Sequence, residues 1–308
     1  ARGPDRSKAD SEAGSRYRFR VGAEIPLLRL PLIPVAAVLG ALTGSFLNVI
    51  IARLPEGEHI AYPGSRCPKC QAPIPWYLNI PILSWTALRG RCRSCKAPIS
   101  IRYPVVEALT AVLFVAIAVR FGATWSTPVA WLFAGSLIVI TFVDIDIWEI
   151  PDEISLPGIP LGCVLRPLVF GAPWWSGLAG AAMGGGALWL IRWFYLKFRG
   201  VEGMGLGDVK LIAMIGAFLG VTGLLPVILV ASVTGAVVGG LLMLLLPGEE
   251  EAEPASSVDP ASPDDEDDEE DWEPPPNAVP FGPFLALGAL TELLLGPQID
   301  LWLMRLAP

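Results

Sequence analysis

The sequence predicts an all-α polytopic membrane protein of about eight transmembrane helices, with a cytoplasmic zinc-ribbon-like loop after the first. Three observations predict this. Hydrophobic residues make up 53% of the 308-residue chain and mean hydropathy is +0.55, too apolar for a water-soluble globule. The apolar residues come in blocks at about 30–52, 104–120, 127–145, 153–170, 174–196, 208–220, 223–246 and 281–305, most of them near bilayer length. Four of the five cysteines form two Cys-x-x-Cys pairs in a basic loop, a pattern that favours a metal in a reducing compartment over disulfides.

The net charge of −8 conceals two regions. Residues 249–273 hold fourteen of the thirty acidic residues and no Lys or Arg, which leaves twenty-two basic against sixteen acidic residues elsewhere, a net of +6. A positive remainder suits a membrane protein with basic cytoplasmic loops. Nothing in it argues for nucleic-acid binding.

Residues 1–29 read as a flexible tail. Residues 1–25 carry six Lys/Arg and four Asp/Glu, without the charged, apolar and small-residue order of a cleavable signal. The first transmembrane helix, 30–53, holds Gly40 and Gly44 at a spacing that allows close helix contact, and Asn48 is expected to hydrogen-bond to another helix. Residues 54–103 form the cysteine loop, with seven Lys/Arg and two Glu. Residues 104–248 are the transmembrane core, in which the short 208–220 block must sit inside the bundle. Glycines 180, 184, 185, 186, 235, 239 and 240 point to tight packing and not to a ligand. Residues 249–277 are expected to be disordered, because Asp, Glu, Pro and Ser bury too little apolar surface to offset ordering entropy. An acidic docking segment for a basic partner is the alternative. Residues 278–308 supply the last helix and the C-terminus.

Basic residues set the orientation. The 54–103 loop and the Arg192/Lys197/Arg199 connection are expected in the cytoplasm, and four crossings between them put both on one side. The same count places the 146–152 turn, the 200–208 stretch and the acidic loop there. It also leaves the basic tail outside, where its mixed charge gives only a weak opposing bias.

Cys67-Pro68-Lys69-Cys70 and Cys92-Arg93-Ser94-Cys95 are separated by twenty-one residues, close to the zinc-ribbon spacing. Four thiolates close a tetrahedral zinc site, so the expected zinc is structural. Lys69, Arg91, Arg93 and Lys96 would offset its negative charge. His59, the single histidine, reads as a solvated loop residue, and Cys163 lies alone in an apolar run.

Two acidic stretches remain. Val143-Asp144-Ile145-Asp146-Ile147-Trp148-Glu149-Ile150-Pro151-Asp152 ends one apolar run, and Gly203-Met204-Gly205-Leu206-Gly207-Asp208-Val209-Lys210 opens another. A carboxylate at membrane depth is costly, so a functional reading is the default. Two that meet suggest an aspartic acid–base pair. Asp144 follows the continuous apolar run and is the deepest. Asp146 and Glu149 read as solvated at the membrane surface, and Asp152 as a cap of the following helix. The glycines beside Asp208 let its backbone approach another helix. Asp208 also fits a helix cap with Lys210 as its counter-ion.

These motifs resemble the prepilin leader peptidases, the membrane aspartic proteases of type IV pilus and type II secretion systems. The resemblance runs from about Gly40 to Leu290. It rests on Gly44-Ser45-Phe46-Leu47-Asn48-Val49, both cysteine pairs, Arg89-Gly90-Arg91-Cys92, and the run from Ile99 through Arg102-Tyr103-Pro104 to Glu107. Both acidic stretches and Pro280-Phe281-Gly282-Pro283-Phe284 complete it. The resemblance implies an eight-helix bacterial inner-membrane enzyme that cleaves the leader of type IV prepilins and pseudopilins at the cytoplasmic face, after a glycine. It implies Asp144 and Asp208 as the catalytic pair, one taking a proton from water while the other polarises the scissile carbonyl. Members with the cysteine loop also methylate the new N-terminus with S-adenosylmethionine, and Gly90 matches a position tied to that step. The acidic insertion departs from the family pattern but falls in a loop.

A cation-coupled transporter and a non-catalytic assembly scaffold are the competing readings. The first would place its carboxylates near mid-bilayer, and these lie at span ends. Deleting 250–275 is expected to leave cleavage of a prepilin-like peptide within about threefold of the parent, as for a solvated insertion. A loss of about a hundredfold would show that the segment docks substrate or a partner.

Overall fold

The structure, a computed structural model, describes residues 29–62, 64–200, 205–245 and 279–306. Most of the N-terminal tail, Gly203 and Met204, and the expected disordered insertion at 249–277 lie outside the described residues. Within them are eight α-helices: α1 Arg29–Arg53, α2 Leu83–Ala87, α3 Arg102–Phe121, α4 Ser126–Ile147, α5 Asp152–Phe170, α6 Ser176–Arg199, α7 Leu206–Leu245 and α8 Gly282–Leu306. Six of them, all but α2 and α6, are long and apolar enough to cross a membrane, and the chain is a multi-pass membrane protein. Helix α6 has the length, but its glycines and Arg192, Lys197 and Arg199 dilute its hydrophobicity.

The 208–220 and 223–246 blocks are two arms of α7, which is non-helical at Gly220 (φ 75°, ψ 180°). That φ favours glycine. A Cβ placed on Gly184 of α6 would touch both the Ile212 carbonyl and the Leu224 side chain, so the arms lie side by side and the chain doubles back at Gly220. A break inside a membrane frees carbonyls that need donors. Arg166 of α5, 7% exposed, supplies them. Its Nη1 donates to the Phe218 carbonyl at 2.6 Å and its Nε to Ser176 Oγ at 2.9 Å. The inner arm, 206–219, is about 21 Å long at ~1.5 Å per residue and does not reach across a bilayer core of about 30 Å. It survives by burial: Leu211, Ile212, Met214 and Ile215 are at most 1% exposed.

Glycine sets the helix spacing. On the α1–α3 interface, a Cβ at Gly40 would lie 2.6 Å from Ala111 Cα, and one at Gly44 would lie 2.7 Å from Glu107 Cα. Between α6 and the inner arm, Gly180 and Gly216 each face the other's carbonyl with no room for a side chain. Lipid tails are as apolar as leucine, so helices gain from close backbone contact and not from hiding hydrophobic surface. The core they enclose stacks Phe133 on Phe218, centroids 4.5 Å apart, among Leu137, Ile140 and Leu285.

One end of the bundle gathers the expected functional segments. Asn48 Nδ2 donates to the Tyr103 carbonyl at 3.1 Å, the interhelical bond expected of it. Arg102 pairs with Asp146 at 2.5 Å and lies over the Phe142 ring. The cysteine loop, the end of α4, the start of both α5 and α7, and the start of α8 therefore share this end. Arg120 donating to the Leu293 carbonyl and Ser126 to the Val169 carbonyl tie the opposite end.

Gly216→Leu is expected to cost about 3 kcal/mol by overpacking, read as a lower thermal midpoint in detergent. Gly239→Leu faces open space and is expected to stay within about 0.5 kcal/mol of the parent.

Candidate active site and cysteine centre

Asp144 lies in the last turn of α4. Trp148, in the left-handed conformation (φ 59°), caps that helix, and its amide donates to the Asp144 carbonyl at 3.0 Å. The chain then turns through Ile150 and Pro151 into α5. Asp144 is 4% exposed, and its Oδ2 has no hydrogen-bond partner among the described residues. The Gly282 amide is set beside the carboxylate, and a Cβ on Gly282 would collide with Oδ2. Gly282 belongs to the Pro280–Phe284 motif, to which sequence reasoning gave no role of its own.

Asp208 is half-buried in the first turn of α7 and close enough to act electrostatically on Asp144. Ile150 sets their relative placement. A Cβ on Gly207 would lie 3.0 Å from Ile150 Cβ, and one on Gly282 would lie 3.3 Å from Ile150 Cδ1. Glycines at 207 and 282 thus let α7 and α8 close on one buried isoleucine of the first acidic stretch. The first turn of a helix also carries the positive end of its dipole, favourable to a carboxylate such as Asp208.

The other acidic residues fall elsewhere, and three expectations are corrected. Asp152 is not a cap: Pro151 occupies that position without a side-chain cap bond. Asp152 is instead the first helical residue and accepts two hydrogen bonds from Lys210 Nζ, at 2.6 and 2.8 Å. Lys210 is therefore the counter-ion of Asp152 and not of Asp208. Asp208 is not a cap either, because α7 begins two residues earlier at Leu206. Asp146 is exposed as expected but ion-paired to Arg102, and Glu149 is exposed.

The four cysteines converge. The Sγ atoms of Cys67, Cys70, Cys92 and Cys95 lie within 4.8 Å of one another, with Cys67 and Cys95 3.8 Å apart. Tetrahedral sulfurs at ~2.3 Å from a zinc ion are about 3.8 Å apart, so the set fits a metal ion of that size. The backbone amides of Cys70 and Lys69 hold the Cys67 thiol down at about 6, and those of Cys95 and Ser94 lower Cys92. Both shifts favour the thiolate a metal needs. The two knuckles are copies. Arg66–Ile74 and Arg91–Ile99 share the pattern Arg-Cys-x-x-Cys-x-Ala-Pro-Ile, each closed by one bridge and one positive-φ residue, Gln71 or Lys96. That internal repeat is visible in the sequence. His59 is exposed in the loop, where its carbonyl accepts from Arg53.

Gly90 is buried at positive φ (65°), and a Cβ there would meet the Trp85 ring at 2.8 Å. Trp85 donates to the Ile99 carbonyl, and the Ile99 amide donates to Gly90. Gly90 thus seats the second knuckle.

Residues 38–121 match the Bacterial Peptidase A24 N-terminal domain, and residues 131–240 match the Type IV leader peptidase family. A prepilin leader peptidase/N-methyltransferase of Myxococcus xanthus is 41% identical over 310 residues, covering 88% of this chain and 91% of its own. One from Neisseria gonorrhoeae is 42% identical over 229 residues, covering 67% and 80%. One from Aeromonas hydrophila is 36% identical over 284 residues, covering 84% and 89%. No solved structure gives a significant match. With family models matching both parts of the chain and relatives spanning most of it, the chain belongs to the type IV leader peptidase family.

Proposed function

We propose that this chain cleaves the leader of type IV prepilins and pseudopilins after a glycine, at the cytoplasmic face of a bacterial inner membrane, and N-methylates the residue exposed. The observation that carries the cleavage half is the approach of Asp144 and Asp208, with Asp144 Oδ2 buried and lacking a hydrogen-bond partner among the described residues. An orphan carboxylate oxygen at a protected helix end is the group a lytic water or a scissile carbonyl would meet. One carboxylate takes a proton from water as it attacks the carbonyl carbon. The other donates its proton to the carbonyl oxygen; on collapse the first passes the water-derived proton to the leaving amine, and the second regains its own from the hydroxyl. Asp146 and Asp152 are held in ion pairs by Arg102 and Lys210, which removes them from competition for the role. The basic loop and the Arg102 and Lys210 pairs on the same end support a cytoplasmic placement.

The cysteine centre fits a structural zinc ion, held by Cys67, Cys70, Cys92 and Cys95 with no open position. Residues 54–103 would serve methyl transfer, and 104–248 with the last helix would serve cleavage. Gly90 would act through the shape of its knuckle, because its Cα faces Trp85. The bound donor, S-adenosylmethionine, would supply an electrophilic methyl group on sulfur. The transporter and scaffold readings fall away with membership of the family.

Asp144→Asn and Asp208→Asn are each expected to abolish cleavage of a prepilin-like peptide in a folded protein, because an amide cannot exchange the proton. The double variant should be no worse than either single one, as for groups that act as a unit. Asp146→Asn, Glu149→Gln and Asp152→Asn should lose about tenfold or less, each removing at most one exposed ion pair. Normal cleavage by both single Asp variants would sink the aspartic mechanism.

About one zinc per chain is expected by elemental analysis. Cys67→Ser with Cys70→Ser should lose it and should reduce methylation more than cleavage. Full metal retention in the double variant would overturn the tetrathiolate assignment, and equal loss of both activities would give the loop a shared structural role.

A further inference from the structure

The cysteine loop carries more positive charge than its metal centre needs. Arg66, Lys69, Arg91, Arg93 and Lys96 each adjoin a cysteine in the chain, and Arg89 stands three residues before Cys92. All six are exposed. The four sulfurs lie within 4.8 Å of one another, so these cations ring one small centre. None of the six has a carboxylate in ion-pair range among the described residues; the pairs nearby join Arg53 to Glu58 and Arg102 to Asp146. Zinc on four thiolates carries about −2, which leaves the ring at about +4. Like charges held close repel. Cytoplasmic placement asks for basic residues in the loop, and not for six of them around one point.

The chain itself holds the matching charge. Fourteen carboxylates fall in 249–273 with no Lys or Arg among them, nine of them between 264 and 273. That segment lies outside the described residues, but its two anchors do not: α7 ends at Leu245 and α8 begins at Gly282. A Cβ on Gly223 would meet Glu292, one on Gly235 would meet Phe284, and one on Gly288 would meet Val227. Rising numbers on the outer arm of α7 thus face falling numbers on α8, and the two run antiparallel. Leu245 therefore ends toward Gly282, at the end of the bundle that holds Asp144 and the cysteine loop. Thirty-six residues join the two anchors. The midpoint of such a chain reaches up to about 60 Å from either anchor at ~3.3 Å per residue. Helices are about 10 Å across, so the whole face is within reach.

We propose that the acidic segment 249–273 docks on this ring of cations, so that the chain covers its own cysteine loop. Tethering at both ends makes the encounter intramolecular, at an effective concentration of about millimolar, which favours it over a free acidic partner of the same charge. The attraction needs no folded core, which this composition could not supply. It weakens as salt shortens the Debye length, from about 30 Å at 0.01 M to about 3 Å at 1 M. Exposure of the cysteine loop then depends on ionic strength. The ring contains neither Asp144 nor Asp208, in keeping with the small effect on cleavage expected from deleting the segment. An anionic membrane surface is the other negative partner within reach, and the test separates the two.

A fluorescent peptide of residues 249–273 tests this on the full-length, zinc-loaded protein and on the same protein lacking 250–275, both in zwitterionic nanodiscs. The deletion variant, its ring uncovered, should bind the peptide, and about 0.5 M salt should weaken that binding by about tenfold or more. The parent should bind about tenfold more weakly than the deletion variant, because its ring is already occupied. Lys69→Gln with Lys96→Gln in the deletion variant should cost about another tenfold, with zinc content matched to the parent showing that the loop is folded. Carbodiimide coupling of the parent, read by mass spectrometry, needs no variant. It should join Lys69 or Lys96 to a carboxylate of 249–273 in the same chain, at low salt only. Equal affinity of parent and deletion variant would overturn the proposal, as would a deletion variant that does not bind. Coupling to Lys197 alone would place the segment at the end of α6, and coupling only between chains would make it an intermolecular contact; either overturns the proposal. Coupling lost in phosphatidylglycerol-rich nanodiscs would give the ring to the membrane surface and overturn it as well.

Discussion

Asp144 imposes the constraint on which the bundle depends. Its carboxylate lies at the end of an apolar helix, 4% exposed, with one oxygen unpartnered among the described residues. Such a group destabilises the fold unless the surroundings are rigid enough to hold it. Three features supply rigidity. Ile150 is clamped between the backbones at Gly207 and Gly282. The Arg102–Asp146 pair anchors α3 to the end of α4. The Lys210–Asp152 pair anchors the start of α7 to the start of α5. Each anchor lies two residues from Asp144 or Asp208 or within the turn that separates α4 from α5, so the acid pair is framed by ion pairs that neutralise the other carboxylates and fix the helix ends.

The doubled helix α7 meets the matching need for Asp208. A helix that crossed the whole bilayer would have its depth set by matching to the lipid. The inner arm is too short for that, so packing sets its depth: Gly180 against Gly216 on one side and Phe133 against Phe218 on the other. Its far end is fixed by Gly220 and by Arg166, which binds the Phe218 carbonyl. A charge buried at the end remote from the acid pair thereby determines where the arm stops, and hence how high Asp208 sits at its start.

Much of this was legible in the sequence. Apolar blocks gave the helices because a bilayer imposes a length, and the cysteine spacing gave the cluster because a knuckle is a local turn. Asp144 and Asp208 stood out because a carboxylate in an apolar run is anomalous on its face. What stayed hidden depends on residues distant in sequence. Lys210 lies two residues from Asp208, yet it pairs with Asp152, fifty-eight residues away, because the side chain projects toward α5. Gly282 reads as one glycine among thirty-two, and its role appears only when its backbone is seen against Asp144. Glu107 reads as one polar residue near a helix start, and its bond to the Ile82 amide joins segments twenty-five residues apart.

The same end of the bundle carries two chemistries, and the connections between them are short. Asn48 and Tyr103 join α1 to α3. Arg102, the neighbour of Tyr103, joins α3 to α4 two residues beyond Asp144. Glu107, one helical turn on, holds Ile82 and through it α2, whose Trp85 seats Gly90 and the second knuckle. A single turn and a half of α3 therefore touches both the acid pair's frame and the cysteine loop's frame. For an enzyme that cuts a chain and then modifies the new end, this is a physical economy. A loop tethered by flexible linkers would lose that advantage, because the new end would have to find it by diffusion. The half-buried hydrogen bond from Ile82 to Glu107 is a contact that makes the loop part of the bundle and not an appendage to it.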